Sequence, residues 1–270
     1  MPDTRQRLAQ LSPEKRALLA SRLQRARSAS TGPAGLPELT ADPAGRLDPF
    51  PLTDLQQAYW VGRSEAFQIG QVAGHSYLEL ERDGLDVEHL GDALRRLIQR
   101  HDMLRAVFLP DGRQQVLATV PPYRIEVDDL TGQGSDSAAE ALGAIRTRMS
   151  HQVLPSDRWP LFEVRAARLA GNRVRLFVSL DALVFDAWSI GLFFKQWAAL
   201  YAAPEAALEP LPISFRDYVL AEQAIQRTDL CERSRQYWRE RITTLPPAPE
   251  LPLAFCIALC IPPRMEDPTS

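Results

Sequence analysis

Between residues 86 and 101 the apolar side chains Leu90, Leu94, Leu97 and Ile98 recur at three- and four-residue intervals, which predicts an amphipathic helix with one buried face. A similar spacing of Leu8, Leu11, Leu18, Leu19 and Leu23 predicts a short helix within residues 8–27, with Ser12 as its N-cap and Pro13 at its first helical position. Thr53, with Gln56 three residues on, has the spacing of a capping box, and its helix is expected to run to about Arg63. Strand-like segments fall at 75–81, 103–109, 113–119, 124–127, 161–169 and 173–180, and further helices at 137–151, 188–202, 215–227 and 230–244. Asp111 and Gly112 centre one predicted hairpin; Ala170, Gly171 and Asn172 separate the arms of another. Strands joined by hairpins as well as helices exclude a purely parallel, doubly wound sheet. The fold class is therefore α/β, with an α+β mixed sheet.

Composition refines the organisation. Residues 29–49 carry three glycines and four prolines with few large apolar side chains, the make-up of a linker, so residues 1–28 read as an N-terminal helical segment and a domain begins near Phe50. That domain is expected to extend to residue 253. Residues 254–270 form an atypical tail, opening on the apolar run AFCIALCI, which has no amphipathic period. The basic face of the first helix (Lys15, Arg16, Arg22, Arg25, Arg27) fits either a solvated surface or a partner-docking face.

With 31 basic and 34 acidic side chains the net charge is −3, without the basic excess of a general nucleic-acid binder. No apolar run is long enough to span a bilayer, and the Arg-studded N-terminus lacks the pattern of a signal peptide. The expected location is cytoplasmic, with neither nucleic acid nor membrane as partner. Cys231, Cys256 and Cys260 are too few for a disulfide framework, and without a nearby histidine they make no zinc site.

The densest chemistry lies in LDALVFDAWS, residues 180–189, where Asp181 ends an apolar strand and Asp186 precedes an apolar helix. Two readings stand open. In one, Asp186 caps the helix through the Trp188 or Ser189 N–H while an arginine holds Asp181. In the other, the two carboxylates converge on a cleft where burial and mutual repulsion raise one pKa, making it a general acid or base. A Ser-His-Asp signature, a Gly-rich phosphate loop and a metal-ligand cluster are all missing from the sequence. His101 sits at a helix end, where the dipole favours a cation, and a structural role is the default for it. His75, His89 and His151 are isolated, and the aromatic residues Tyr59, Trp60, Trp188, Trp197, Tyr218, Tyr237 and Trp238 read as core before substrate platforms.

FPLTDLQQAYWVGR (50–63), RHDMLRAVFLPDGRQQVL (100–117), DALVFDAWS (181–189), ISFRDYV (213–219) and YWRERITTLPPAPELPL (237–253) together resemble successive motifs of the heterocyclization domains of nonribosomal peptide synthetases. The resemblance implies a chloramphenicol-acetyltransferase-like lobe of the condensation superfamily, in which two lobes form a V and carrier-protein arms enter a tunnel from opposite faces. Ordinary condensation domains carry HHxxxDG where this chain has DALVFDA; the aspartate form DxxxxD marks the cyclizing subfamily, and Asp181, Asp186 and the following Ser189 match it.

By that resemblance the domain joins an upstream acyl or peptidyl thioester to carrier-bound Cys, Ser or Thr, then cyclodehydrates the product to a thiazoline or oxazoline, as in siderophore-like peptides. Asp186 becomes the leading acid/base residue and Asp181 a positioning residue, with Ser189, Tyr59 and His101 as candidates for contact with substrate in the tunnel. The resemblance implies no cofactor bound by the chain itself. Substrates would ride on the phosphopantetheine arms of peptidyl and aminoacyl carrier proteins, and an upstream synthetase subunit would dock on the N-terminal helix. The matching motifs end at residue 253, so the expectation is an N-terminal lobe alone, truncated before the second. The alternative function is an inactive remnant or carrier-docking module. A stand-alone acyltransferase of the superfamily is disfavoured, since such enzymes use the histidine that DALVFDA lacks.

Overall fold

The computed structural model describes residues 37–63 and 73–247; the helix expected at 8–27 and the tail at 254–270 lie outside them. The chain divides into two units, residues 37–224 and a second made of 1–36 and 225–270. In the first unit the described elements are β1 (Phe50–Pro51), α1 (Asp54–Gly62), β2 (His75–Asp83), α2 (Val87–Arg100), a 3-10 turn (Asp102–Arg105), β3 (Ala106–Phe108), β4 (Arg113–Val116), β5 (Glu126–Asp129), α3 (Ser135–His151), β6 (Phe162–Leu169), β7 (Arg173–Asp181), α4 (Ala187–Ala202) and α5 (Phe215–Gln226). The second unit contributes α6 (Asp229–Ile242), capped by Thr228.

The main sheet has the order β2-β7-β6-β5, antiparallel except for the parallel β5–β6 pair, which α3 connects. This is the expected mixed sheet. Alternation along the two central strands sorts their side chains to opposite faces. Val174, Leu176, Val178 and Leu180 of β7 pack with Leu90, Leu94 and Leu97 of α2 and with Phe193 and Trp197 of α4. Phe177 projects the other way, into a smaller core with Leu142 and Met149 of α3. The β6–β7 hairpin turns through Gly171 and Asn172, both with positive φ (76° and 61°). A second, antiparallel sheet, β1-β4-β3, is closed by the turn at Asp111 and Gly112.

Three sequence expectations are corrected. The stretch 103–109 is not one strand: residues Asp102–Arg105 form a 3-10 turn, and the strand is only Ala106–Phe108. Arg105 donates to the carbonyls of Ile98 and Gln99, both at 2.6 Å, and to Asp102. Carbonyls at the end of α2 that lack helical partners are thus satisfied by a side chain from the turn, which tightens the chain there. The strand placed at 124–127 lies at Glu126–Asp129. The aromatic positions are not uniformly core. Trp197 is buried and donates its indole N–H to Leu90 O at 2.9 Å, whereas Trp188 is 84% exposed and Tyr218 48%. Within α6, Tyr237 and Trp238 meet edge to face and Arg241 lies 4.2 Å over the Tyr237 ring.

Residues 37–49, whose composition is that of a linker, are tied down by ion pairs. Arg46 binds Asp102 at 2.7 Å, and Asp42 binds Arg216 at 2.9 Å while its backbone N–H donates to Asp217. This strap runs across the side of the unit on which α4 begins and brings Arg46 to the cavity described next.

Candidate active site

Asp181 is the last residue of β7 and Asp186 caps α4, so the loop between them joins the central strand to the apolar helix. Its backbone is held at every step. Ala182 N–H donates to Gly74 O (2.8 Å), Val184 and Phe185 N–H donate to Asp181 O (3.1 and 3.0 Å), and Leu183 N–H donates to Asp181 Oδ1 (2.9 Å). The same Oδ1 accepts from the guanidinium of Arg63, which also donates to Leu154 O. Arg63 is the C-cap of α1, and both side chains are almost wholly buried, 7% and 2% exposed.

A second buried clamp comes from the same helix face. The capping box forms as its spacing predicts, Thr53 Oγ1 accepting from Gln56 N–H and Gln56 Oε1 from Thr53 N–H. The Gln56 amide goes further: its Nε2 donates to Leu183 O (2.8 Å) and to Gln114 Oε1 (2.9 Å), and Gln114 donates back at 2.8 Å. Sequence reasoning saw only the cap. The signal for more was a polar Gln56 and Arg63 sharing the i, i+4, i+7 face of Trp60, which packs inward against Phe108 and Leu183. Gln56→Leu should strand the Leu183 carbonyl and the Gln114 amide, and is expected to cost about 1–3 kcal/mol in a urea titration. A change within error would remove Gln56 from the clamp.

Asp186 lies on the wall of a cavity of about 570 Å³, with Ser189, His101 and Gln56; Asp181 and Tyr59 lie outside it. The Asp186 carboxylate accepts the Ser189 N–H at 2.7 Å. The Ser189 hydroxyl first, and that N–H second, hold its pKa below the usual carboxylate value. Mutual repulsion between the two aspartates therefore does not raise Asp186 as the convergent reading expected: an arginine neutralises one and hydrogen-bond donors stabilise the ionised form of the other. The geometry is that of the capping reading, with Asp186 ionised on an open cavity wall.

His101 caps α2 with its backbone N–H, and its Nε2 lies 2.6 Å from Gln196 Oε1. Burial depresses its pKa, favouring neutral imidazole, so desolvation outweighs the dipole preference for a cation expected at that helix end. Tyr59 lies against Gly74, where a Cβ would come 3.4 Å from Ala182 and 3.6 Å from the Tyr59 ring. Its contact is with the backbone that supports the loop.

Residues 47–258 match the family model for the condensation domain. The chain belongs to the condensation-domain family. This condensation domain is 39% identical over 223 residues to pyochelin synthetase PchE of Pseudomonas aeruginosa, covering 83% of the chain but 15% of that protein. It is 37% identical over 218 residues to the phenyloxazoline synthase MbtB of Mycolicibacterium paratuberculosis, covering 79% of the chain and 18% of that protein. A crystal structure of the EpoB cyclization-docking bidomain from Sorangium cellulosum superposes with a TM-score of 0.80 at 38% identity, over 90% of this chain and 48% of that one. The domain thus spans less than a fifth of these curated relatives and about half of the bidomain. The relatives place it in the condensation and cyclization class of nonribosomal peptide synthetase domains, and the chloramphenicol-acetyltransferase-like fold expected from the motifs is the one they share. Among the described residues, no helix is long and apolar enough to cross a membrane, and no group of three or more His, Cys, Asp and Glu could hold a metal ion.

Proposed function

We propose that this domain joins a carrier-bound acyl or peptidyl thioester to the amine of a carrier-bound Cys, Ser or Thr and then cyclizes the product to a thiazoline or oxazoline. The observation that carries the reading is the loop itself. Where a histidine pair would serve simple condensation, Asp181 is spent on Arg63 and an ionised Asp186 is left on the cavity wall. In the first step the amine nitrogen bonds to the thioester carbon, the carbon–sulfur bond breaks and the carrier thiol departs with a proton. In the second the side-chain sulfur or oxygen loses its proton and adds to the new amide carbon; the amide nitrogen then gives up its own proton as the carbon–nitrogen double bond forms, and the former carbonyl oxygen leaves with the two protons as water. Asp186, being ionised, acts as the base that takes the nucleophile's proton; the loop clamps keep it in place.

A carrier-docking role without chemistry is the second reading, favoured by the engagement of Asp186 as a helix cap. Incubating the chain with an acyl-loaded and a Cys-loaded carrier, and weighing the thioesters by mass spectrometry, separates the two. Cyclization gives a product one water lighter than the open amide; carriers that bind but return unchanged support docking alone. A proton acceptor with a depressed pKa stays ionised into acid, so the rate should hold through neutral pH and fall only below the ordinary carboxylate range. Removing the largest cause with Ser189→Ala is expected to move that acid limb upward. A limb that stays in place would show that Asp186 is not the titrating base.

A further inference from the structure

The cavity is larger and more apolar than the reacting atoms require. Its lining draws aromatic rings from two elements: Phe185 and Phe193, edge to face at 5.5 Å where α4 begins, and Phe215 and Tyr218, stacked at 6.0 Å on α5. Leu55, Leu192 and Leu211 add apolar surface that stays 61%, 39% and 39% exposed, so the lining meets water when nothing covers it. The charged lining residues are Arg46, Asp54, Asp102, Asp186 and Glu222, four carboxylates to one guanidinium. That guanidinium is already bound to Asp102 at 2.7 Å. An anionic guest would meet an excess of like charge with no uncommitted cation among the described lining residues.

We propose that this cavity seats the side chain of the donor acyl group and selects an uncharged apolar one, aromatic or branched aliphatic, over an anionic one. The inference rests on reading the aspartate loop as the place of reaction. Asp186 and Ser189 on the wall meet the thiol or hydroxyl of the acceptor, whereas the aromatic and leucine walls offer the contact area that an apolar acyl side chain fills. The cavity volume of about 570 Å³ is within the range of small-molecule sites and holds an aryl acyl group together with the end of a pantetheine arm.

The test is titration calorimetry of the whole chain with three unreactive pantetheine amides, carrying benzoyl, succinyl and acetyl groups. Benzoyl is expected to bind at least about tenfold more tightly than succinyl, with acetyl between them. Leu192→Lys and Leu55→Lys, at positions exposed enough to accept a charge without unfolding, trade apolar wall for a cation and should each erase most of that preference. If all three amides bind but succinyl equals benzoyl, or if both variants leave the preference intact, the acyl selectivity is wrong and the thioester-site reading survives. If none binds, the cavity is not the thioester site and the inference falls with that reading.

Discussion

Arg63→Leu is expected to destabilise the fold by about 3–5 kcal/mol, because it leaves the Asp181 carboxylate buried without its counter-charge. The cost is that of an orphaned charge more than of a lost attraction, which gives the prediction an internal control. Asp181→Leu should cost a similar amount, since it orphans the guanidinium, yet the double replacement should recover much of the loss. Arg63→Lys keeps the charge and loses the fork that also serves Leu154 O, so its effect should fall between wild type and leucine. Urea titration of the four variants supplies the cycle. Single replacements costing under about 1 kcal/mol would place the pair among weak, solvent-screened contacts and refute the view that it anchors the loop.

Asp186→Ala is expected to lower the rate of cyclized product by about 10²–10⁴-fold, the usual contribution of a positioned base, while costing only about 1 kcal/mol of stability through the lost cap. Asparagine separates the two roles. Its side-chain oxygen can still accept the Ser189 N–H, so Asp186→Asn should fold with near wild-type stability and remain as slow as alanine. A fast asparagine variant would assign Asp186 to capping alone and move the base to another group on the cavity wall.

Much of the architecture was legible because its signals are local. Thr53 and Gln56 make the predicted capping box, the leucine stripe of α2 faces the sheet, and Gly171 and Asn172 turn the predicted hairpin. What sequence missed depends on partners far along the chain. Asp102–Arg105 has strand-like character, but Arg105 is drawn to the open carbonyls of α2 and coils the segment into a turn. Gln56 gives no local hint of Gln114, 58 residues away, and the arginine that holds Asp181 lies 118 residues upstream. The two readings of the aspartate pair could not be separated by spacing, since five residues across a turn permit either convergence or divergence; burial and an arginine decide it. At His101 the dipole was visible in sequence, but the desolvation that outweighs it comes from packing around the Gln196 contact.

The pairing of β2 with β7 governs how the molecule comes into being. His75 lies opposite Asp181 and Asp83 opposite Arg173, so one edge of the main sheet cannot form until the chain has been synthesised through β7. On the ribosome β2 emerges with its backbone unpaired and waits while β3 to β6 and two helices are made. Contacts of such long range close slowly, because the entropy of a large loop is lost before the strands reward it. When β7 arrives it completes the sheet and delivers Asp181 to Arg63 at one stroke, so the loop from Asp181 to Asp186 takes up its clamped form only in a chain whose central sheet has already closed.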